Sequence, residues 1–216
     1  MTPDGIRDAL RFYFITDDAA SGFSALDQVR VALEAGATLI QYRNKAFALD
    51  HFEEAETICR LCRDHRVPFV INDNVLLARA VGAGGVHVGQ DDAPPHLARR
   101  IMGPHAIVGV SVSSMVELEH TDLAYCDYIG TGPTFPTDTK ADAKTVHGLS
   151  GLRDIVNRSP LPAVAIGGID PAKVKDCFAH GAAGVAVISC ITRSKDPLEA
   201  AAAMASACGV APPGAW

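Results

Sequence analysis

The sequence predicts an α/β protein built as a single (β/α)8 barrel of the TIM type. Two observations support this fold. Eight short runs rich in β-branched and aromatic residues alternate with eight helical patterns along the 216 residues. The strand runs also lack polar alternation, as expected of parallel strands that are covered on both faces. An open doubly wound sheet is the alternative, and the absence of a G-x-G-x-x-G loop after the first strand argues against it.

The predicted elements alternate in a regular order. The strands span residues 12–16, 38–42, 67–71, 85–88, 106–110, 127–129, 163–166 and 184–188. The helices span residues 25–35, 50–64, 74–81, 94–101, 113–120, 150–157, 171–179 and 197–207. Ser24 before the first helix and Gly36 after it are typical capping residues. We expect one domain over residues 1–216, with the barrel at about 12–207 and a loose tail at 209–216.

Composition and charge argue against several classes of protein. The 19 basic and 25 acidic side chains give a net charge of −6, and no Lys/Arg cluster indicates nucleic-acid binding. No apolar run approaches the roughly 18 residues of a membrane span. The charged first residues lack the apolar segment of a signal peptide, so we expect a cytoplasmic protein. The six cysteines, including the C-x-x-C of Cys59 and Cys62, are expected to be unpaired thiols in or near the core.

Polar residues follow the predicted strands, and the active site of such a barrel forms at the carboxyl ends of its strands. Gln41, Arg43 and Lys45 alternate at the end of the second strand, so their side chains point to one side. Two unpaired cations are costly there unless an anion binds, and the Arg fork with the Lys point charge suits a diphosphate. A salt bridge to Asp73 or Asp92 is the alternative.

Two carboxylates predict a cation site. Asp73 and Asp92 follow neighbouring strands, so both can reach one ion. Mg²⁺ prefers hard oxygen ligands and often takes one or two carboxylates together with substrate phosphates. The alternative is helix capping, because Asp73 precedes the third helix and Asp91 or Asp92 precedes the fourth. The nearby cations favour a phosphate bridged by Mg²⁺.

Two further segments have the character of a phosphate site. Gly167 and Gly168 precede the seventh helix and Ser189 precedes the eighth, and loops at these places often bind phosphate in this barrel. The long loop at 130–146 carries hydroxyls and a lysine at 137–140, which suit a lid over phosphate. A glycine turn without a ligand and a solvated surface loop are the alternatives.

Two other side-chain chemistries remain open. Lys140 or Lys45 could form a Schiff base, as in a class I aldolase. The eight histidines lack a metal-ligand spacing, and His87 on the fourth strand is expected to be a hydrogen-bonded core or rim residue.

An ordered set of short motifs covers nearly the whole chain. The motifs are Gln41-Tyr42-Arg43-Asn44-Lys45, Val70-Ile71-Asn72-Asp73, Gly85-Val86-His87-Val88-Gly89-Gln90-Asp91-Asp92, Gly109-Val110-Ser111, Gly132-Pro133-Thr134-Phe135-Pro136-Thr137-Asp138-Thr139-Lys140, Ala165-Ile166-Gly167-Gly168-Ile169 and Val187-Ile188-Ser189. Together they resemble the thiamine phosphate synthase (thiamine-phosphate pyrophosphorylase) family. Each motif alone is weak, and their order and spacing make the resemblance specific.

The resemblance implies a TIM-barrel transferase with two small-molecule substrates and Mg²⁺ as cofactor. One substrate is 4-amino-5-hydroxymethyl-2-methylpyrimidine diphosphate and the other is a thiazole phosphate, carboxylated or not. The thiazole nitrogen displaces diphosphate and gives thiamine phosphate. Neither nucleic acid nor a membrane is an implied partner, and a homo-oligomer is left open.

The resemblance also implies roles for individual residues. The residues that bind the pyrimidine diphosphate are Gln41, Arg43, Lys45, Asn72 and Lys140, with Ser111 against the pyrimidine. Those that hold the thiazole phosphate are Thr137, Thr139, Gly168, Ile188 and Ser189. Tyr42, Asn44 and Asp138 complete the substrate-binding set, and the metal ligands are Asp73 and Asp92. The implied catalytic residues are Arg43, Lys45, Ser111 and Lys140.

Two alternative functions use the same barrel. A thiazole tautomerase would need a proton-shuttling group and no diphosphate clamp. A non-catalytic regulator that binds a phosphorylated ligand would have lost charged residues from that clamp. The complete charged set favours the synthase, and it comprises Arg43, Lys45, Asp73, Asp92 and Lys140.

Overall fold

The computed structural model describes residues 3–139 and 146–211. Within these residues, eight parallel strands pair in sequential order and form a closed barrel. They are β1 (Phe12–Ile15), β2 (Leu39–Tyr42), β3 (Phe69–Asn72), β4 (Gly85–Val88), β5 (Ile107–Ser111), β6 (Tyr128–Thr131), β7 (Ala163–Ile166) and β8 (Gly184–Val187). Tyr13 of β1 lies opposite Ala186 of β8, and this pairing closes the ring. The predicted (β/α)8 barrel is therefore confirmed.

Helices cover the outside of the barrel. In the described part of the chain they are α1 (Pro3–Leu10), α2 (Ala25–Ala35), α3 (Phe52–Asp64), α4 (Val75–Val81), α5 (Pro95–Met102), α6 (Met115–His120), α7 (Gly148–Arg158), α8 (Val174–Ala179), α9 (Ser189–Thr192) and α10 (Pro197–Cys208). The predicted caps of α2 form: the Ser24 hydroxyl accepts the Asp27 N–H, and Gly36 ends the helix with φ 97°.

Two helices were missing from the sequence prediction. Helix α1 lies before the first strand, and its Ile6 and Leu10 side chains belong to the buried cluster that fills the barrel interior. The charged start of the chain conceals this short amphipathic helix. Helix α9 has only four residues and follows β8 directly. A single turn is too short to show a helical period in the sequence.

Six of the eight strands differ from prediction by one or two residues at an end, and only β4 and β7 agree at both ends. Strand β3 begins at Phe69 rather than at 67, after Pro68, which has no N–H for the strand ladder. Strand β6 continues to Thr131 because Gly130 and Thr131 pair with Val164 and Ala165 of β7.

The core has two parts. The larger lies between the strands and the surrounding helices. The smaller fills the barrel interior, and its strand residues include Tyr13, Ile15, Leu39, Val70, Ile107, Tyr128, Val164 and Ala186. Two glycines make room for large interior rings. A Cβ at Gly109 would overlap the Tyr128 ring, and a Cβ at Gly130 would lie 3.0 Å from His87 Cε1.

The cysteines lie mainly in the protein interior. All six cysteines are free thiols, five of them buried, and burial raises the pKa of Cys62 to about 12.

Among residues 3–139 and 146–211, no helix is both long and apolar enough to cross a membrane. Gly209 ends α10 with φ 68°. Residues 212–216 of the expected loose tail lie outside the described residues, so the tail remains a prediction.

Candidate active site

A cavity of about 270 Å³ opens at the carboxyl ends of the strands. Its lining includes eleven of the predicted site residues, which are Arg43, Lys45, Asn72, Asp73, Asp92, Ser111, Thr137, Thr139, Gly168, Ile188 and Ser189. Gln41, Tyr42, Asn44 and Asp138 lie outside the lining. Lys140 lies outside the described residues. Barrel closure thus brings together polar groups from loops that are far apart in the sequence.

Arg43 lies just beyond the end of β2 and is only 9% exposed. Its N–H bonds to Thr16 Oγ1 at 2.8 Å, and the Thr16 hydroxyl donates to the Arg43 carbonyl. Within the described residues, the guanidinium has one carboxylate contact, from Nη1 to Asp18 Oδ1 at 3.5 Å. Asp18 also accepts the Lys45 N–H at 2.6 Å. The nearly buried Arg43 charge is therefore only loosely paired, which favours an anionic ligand.

Lys45 makes one of the salt bridges considered as alternatives to ligand binding. Its Nζ lies 2.6 Å from Asp73 Oδ2, and its side chain is 56% exposed. An ion pair this exposed contributes at most about 1 kcal/mol. Lys45 can therefore exchange its carboxylate partner for a ligand phosphate at low cost.

Asp73 and Asp92 form a tightly coupled carboxyl pair. Burial favours the neutral form of Asp73, but the Asp92 carboxyl and the Lys45 ammonium bond to it and lower its pKa. Burial and the neighbouring Asp73 raise the pKa of Asp92. Asp92 Oδ2 also accepts the Gly89 N–H at 2.7 Å. Two carboxyl groups this close require a proton or a cation between them.

The backbone at Asp73 fits a functional role. Asp73 has φ 61°, a left-handed conformation that is uncommon for residues other than glycine and often found at functional sites.

The structure does not support helix capping as the role of Asp73 or Asp92. Asn74 caps α4 by accepting the Leu77 N–H, and Pro94 holds the cap position of α5. Both aspartate carboxyl groups thus remain directed to the cavity.

The donor chemistry of this pair fits Mg²⁺. Two neighbouring carboxylates offer hard oxygen ligands and leave other coordination positions for water and substrate phosphate. No group of three or more His, Cys, Asp or Glu is arranged for metal binding among residues 3–139 and 146–211. A pair of carboxylates of this kind can share a cation with the phosphate of a ligand.

The opposite side of the cavity carries hydroxyls and glycines. Thr139 Oγ1 donates to Ser189 Oγ at 2.8 Å, and Thr137 Oγ1 donates to Thr139 Oγ1 at 3.1 Å. Gly168 lies beside them with φ 63°. Lys173, which was not predicted, donates from Nζ to the Gly168 carbonyl at 2.7 Å. Hydroxyls and a glycine turn after β7 and β8 are the usual components of a phosphate site in this fold.

We expect Gly168→Ala to destabilise the protein by about 2–5 kcal/mol. The left-handed backbone costs a non-glycine residue about 1–2 kcal/mol. The new Cβ would also collide with the Pro136 carbonyl and the Phe135 side chain, and such overpacking typically costs about 1–3 kcal/mol. Gly22→Ala is the matched control, since Gly22 has φ 75° with open space around its Cβ position. Urea unfolding that gives equal losses for both variants would contradict the collision.

The floor of the cavity contains a network of hydrogen bonds that the sequence patterns did not predict. Ser111 Oγ lies 2.9 Å from His87 Nε2, and His87 Nδ1 lies 2.9 Å from the Tyr128 hydroxyl. Tyr128 in turn bonds to Tyr13 at 2.9 Å, and Gln41 Nε2 donates to Tyr13. His87 is a hydrogen-bonded interior histidine, as expected. The sequence did contain a signal for the two tyrosines. Each lies two residues from another position that faces the barrel interior on the same strand, so its side chain points inward as well.

Three predicted residues outside the cavity lining have structural contacts around β2. Gln41 is 2% exposed and faces the barrel interior. The Tyr42 hydroxyl donates to Glu54 Oε2 at 2.8 Å, and Asn44 Nδ2 donates to Tyr42 at 3.3 Å. These contacts hold β2 against α3. In this structure none of the three side chains reaches the cavity.

A second unpredicted support joins the first and last loops of the barrel. The buried Asp17 carboxylate accepts the Thr192 hydroxyl at 3.2 Å. The Gln28 side chain bonds to the backbone N–H and C=O of Asp17. These bonds link the loop after β1 to α9, which begins with Ser189.

The fold and this site together define a (β/α)8-barrel enzyme with a site suited to anionic substrates. Residues 12–191 match the family model described as thiamine monophosphate synthase. The chain is 41% identical over 212 residues to the thiamine-phosphate synthase of Geobacillus thermodenitrificans, with 96% of each chain covered. The chain therefore belongs to the thiamine monophosphate synthase family, and it is an enzyme.

Other relatives agree with this assignment. A solved structure of thiamine phosphate pyrophosphorylase from Pyrococcus furiosus has a TM-score of 0.85 and 36% identity, covering 94% of this chain and 98% of that one. The thiamine biosynthesis bifunctional protein ThiM/ThiE of Symbiobacterium thermophilum is 42% identical over 85% of this chain. The chain spans 38% of that longer relative.

Proposed function

We propose that this enzyme joins 4-amino-5-hydroxymethyl-2-methylpyrimidine diphosphate to a thiazole phosphate and gives thiamine phosphate and diphosphate. The thiazole nitrogen forms a bond to the pyrimidine methylene carbon. The bond from that carbon to the diphosphate oxygen breaks, and diphosphate keeps the electron pair. A carboxylate on the thiazole ring, where present, leaves as CO₂, and the ring carbon that keeps the electron pair takes a proton from water. The principal support is one cavity that combines a loosely paired arginine, a carboxyl pair and a separate hydroxyl–glycine cradle.

Each side of the cavity has its own task in this proposal. Arg43 and Lys45 bind the diphosphate and stabilise the charge that develops as it leaves. Asp73 and Asp92 would hold Mg²⁺, which neutralises part of that charge when bound. The opposite cradle, formed by Thr137, Thr139, Gly168, Ile188 and Ser189, binds the thiazole phosphate.

The reaction places few demands on acid–base groups. An aminopyrimidine can stabilise a cation at its methylene carbon, so a dissociative displacement needs no strong protein base. This agrees with a cavity whose polar groups bind phosphate and orient the rings. Asn72 and Ser111 lie at the end of β3 and β5 and would contact the pyrimidine half. In this proposal Lys140 binds the diphosphate. The cytoplasmic location and any homo-oligomer remain predictions.

An end-point assay tests the proposed function. Purified protein is mixed with Mg²⁺, the pyrimidine diphosphate and the thiazole phosphate, and thiamine phosphate is detected as fluorescent thiochrome phosphate after oxidation. We expect product that disappears with EDTA and returns with excess Mg²⁺. Folded protein that binds both ligands and makes no product would overturn the proposal in favour of a tautomerase or a regulator.

We expect Lys173→Met to raise the KM for the thiazole phosphate roughly tenfold and to leave the KM for the pyrimidine diphosphate nearly unchanged. Lys173 holds the Gly168 carbonyl, and a hydrogen bond to a charged group is worth about 1.5–3 kcal/mol. Initial rates with each substrate varied in turn measure both constants. Lys175→Met, at an exposed position on α8, is the control. Equal rises of both constants would exclude a role confined to the cradle.

A further inference from the structure

A chain of hydrogen bonds crosses the barrel interior and ends at the cavity. It begins with Gln41 on β2, whose Nε2 donates to the Tyr13 hydroxyl on β1. Tyr13 bonds to Tyr128 on β6, Tyr128 bonds to His87 Nδ1 on β4, and His87 Nε2 bonds to Ser111 Oγ on β5, each at 2.9 Å. Ser111 lines the cavity. The chain thus connects the sealed interior with the ligand site.

The barrel interior is shaped around this chain. Gly109 and Gly130 occupy the positions where a Cβ would overlap the Tyr128 ring or press on the His87 ring. The Tyr13 and Tyr128 rings meet edge to face, with centroids 6.0 Å apart. The two aromatic side chains and the imidazole therefore have little freedom to turn, and their hydrogen bonds have defined partners.

Donor counting gives the chain a direction. An amide nitrogen can only donate, so the Tyr13 oxygen accepts from Gln41. Burial raises the pKa of both tyrosines well above the usual value, so both keep their protons. Either tyrosine oxygen can donate in the bond between them, and the roles of the His87 ring nitrogens depend on the tautomer. Because Gln41 Nε2 cannot accept the Tyr13 proton, the arrangement that uses every buried proton has Tyr13 donating to Tyr128 and Tyr128 donating to His87 Nδ1.

The direction continues to the cavity. An imidazole whose Nδ1 accepts a hydrogen bond carries its ring proton at Nε2. His87 then donates to Ser111 Oγ, and this contact occupies one lone pair of the serine oxygen. The Ser111 proton is left to point to the cavity.

We propose that Tyr128 and His87 are positioning residues that orient the Ser111 hydroxyl as a hydrogen-bond donor to the ligand. The ligand class that fits is a flat heteroaromatic ring with an acceptor nitrogen at the cavity floor. This inference rests on the proposed function, in which a pyrimidine lies there. It adds that the enzyme selects the ring by an acceptor edge, which a ring with C–H in that position lacks.

The decisive comparison is Tyr128→Phe against Tyr13→Phe. Each variant removes one hydroxyl from the same fully buried pair, so a purely structural role predicts similar losses of thermal stability and activity. Under the proposal only Tyr128→Phe removes the hydroxyl that donates to His87 Nδ1. In Tyr13→Phe the Tyr128 hydroxyl still donates to His87 Nδ1, so the remaining hydrogen bonds keep their direction.

Nitrogen-15 NMR of labelled histidine in the ligand-free protein tests the direction without reference to activity. We expect the Nε2–H tautomer of His87 in the wild type and in Tyr13→Phe. We expect a shift toward the Nδ1–H tautomer in Tyr128→Phe. A wild-type His87 that is protonated at Nδ1, or at both nitrogens, would overturn the inference.

Turnover then tests the consequence. We expect kcat to fall at least tenfold in Tyr128→Phe and less than threefold in Tyr13→Phe. Equal losses in an active enzyme would refute the inference and leave the proposed function standing. A wild type without activity but with the expected tautomers would refute the proposed function and leave the hydrogen-bond direction standing.

A second pair of variants applies if Tyr128→Phe does not fold. The amide nitrogen of glutamine can replace Nε2 of histidine as the donor to Ser111, whereas asparagine reaches only the Nδ1 position. We expect His87→Gln to keep a kcat at least fivefold above that of His87→Asn. Equal kcat values for the two would contradict the proposed role of the Nε2 donor.

Discussion

Asp92→Asn is expected to lower thiamine phosphate formation by at least about 100-fold while the metal-free protein remains as stable as the wild type or becomes more stable. Metal neutralisation of a leaving group is worth several kcal/mol, and each 1.4 kcal/mol is a factor of about ten in rate. The same change removes a carboxyl group that repels Asp73 when both are ionised, which relieves strain in the metal-free protein. The Gly89 N–H keeps an acceptor in the asparagine oxygen.

Two measurements separate a metal ligand from a general charge. Turnover is followed by the thiochrome assay over a range of Mg²⁺ concentrations, and thermal unfolding is followed with and without Mg²⁺. Asp91→Asn is the matched control because it removes the same charge one residue away, and we expect it to lose less than threefold. If Asp91→Asn and Asp92→Asn lose activity equally, the Asp73–Asp92 pair is not a specific metal site.

Arg43→Met is expected to lower kcat/KM for the pyrimidine diphosphate by about 100-fold. A bidentate, charge-assisted contact with phosphate oxygens contributes roughly 3 kcal/mol, which corresponds to about two orders of magnitude. The methionine keeps most of the apolar side-chain volume, and Asp18 keeps its bond from the Lys45 N–H. We therefore expect the unfolding temperature to fall by only a few degrees, since 1 kcal/mol corresponds to about 2–4 °C at this size.

Further variants at position 43 separate the effect of the positive charge from that of the planar guanidinium. Arg43→Lys should recover part of the loss, because lysine restores the charge and lacks the planar fork. Arg30→Met is the control, since Arg30 forms an exposed pair with Asp27 on α2. Full activity of Arg43→Met would remove Arg43 from the diphosphate site. An unfolded Arg43→Met together with a fully active Arg43→Lys would show that the positive charge at this position serves stability and that the planar fork is not needed for binding.

The alternation of helical and strand patterns was sufficient to predict the barrel, and the residues after each strand were sufficient to predict most of the cavity lining. Both follow from local rules. The apolar pattern of a parallel strand is visible within a few residues. The closed parallel barrel then places the carboxyl ends of all strands at one rim. Arg43, Asp73, Asp92 and Ser189 come together for this reason.

The same local rules failed where a side chain's surroundings depend on closure of the barrel. The alternation of Gln41, Arg43 and Lys45 predicted three side chains at the mouth. The strand ends at Tyr42, so Gln41 still faces the sealed interior while Arg43 and Lys45 lie in the loop above it. Helix α1 was missed for a similar reason, since its burial depends on the barrel end that it covers.

Short patterns along the chain are enough to predict the fold class, the family resemblance and the charged groups at the mouth of the barrel. Which polar groups face one another depends on how distant segments come together when the barrel closes. Tyr13 and Tyr128 are 115 positions apart and share a hydrogen bond inside the lumen. Closure of the barrel makes that contact, and it joins Gln41, both tyrosines and His87 to the serine at the cavity floor.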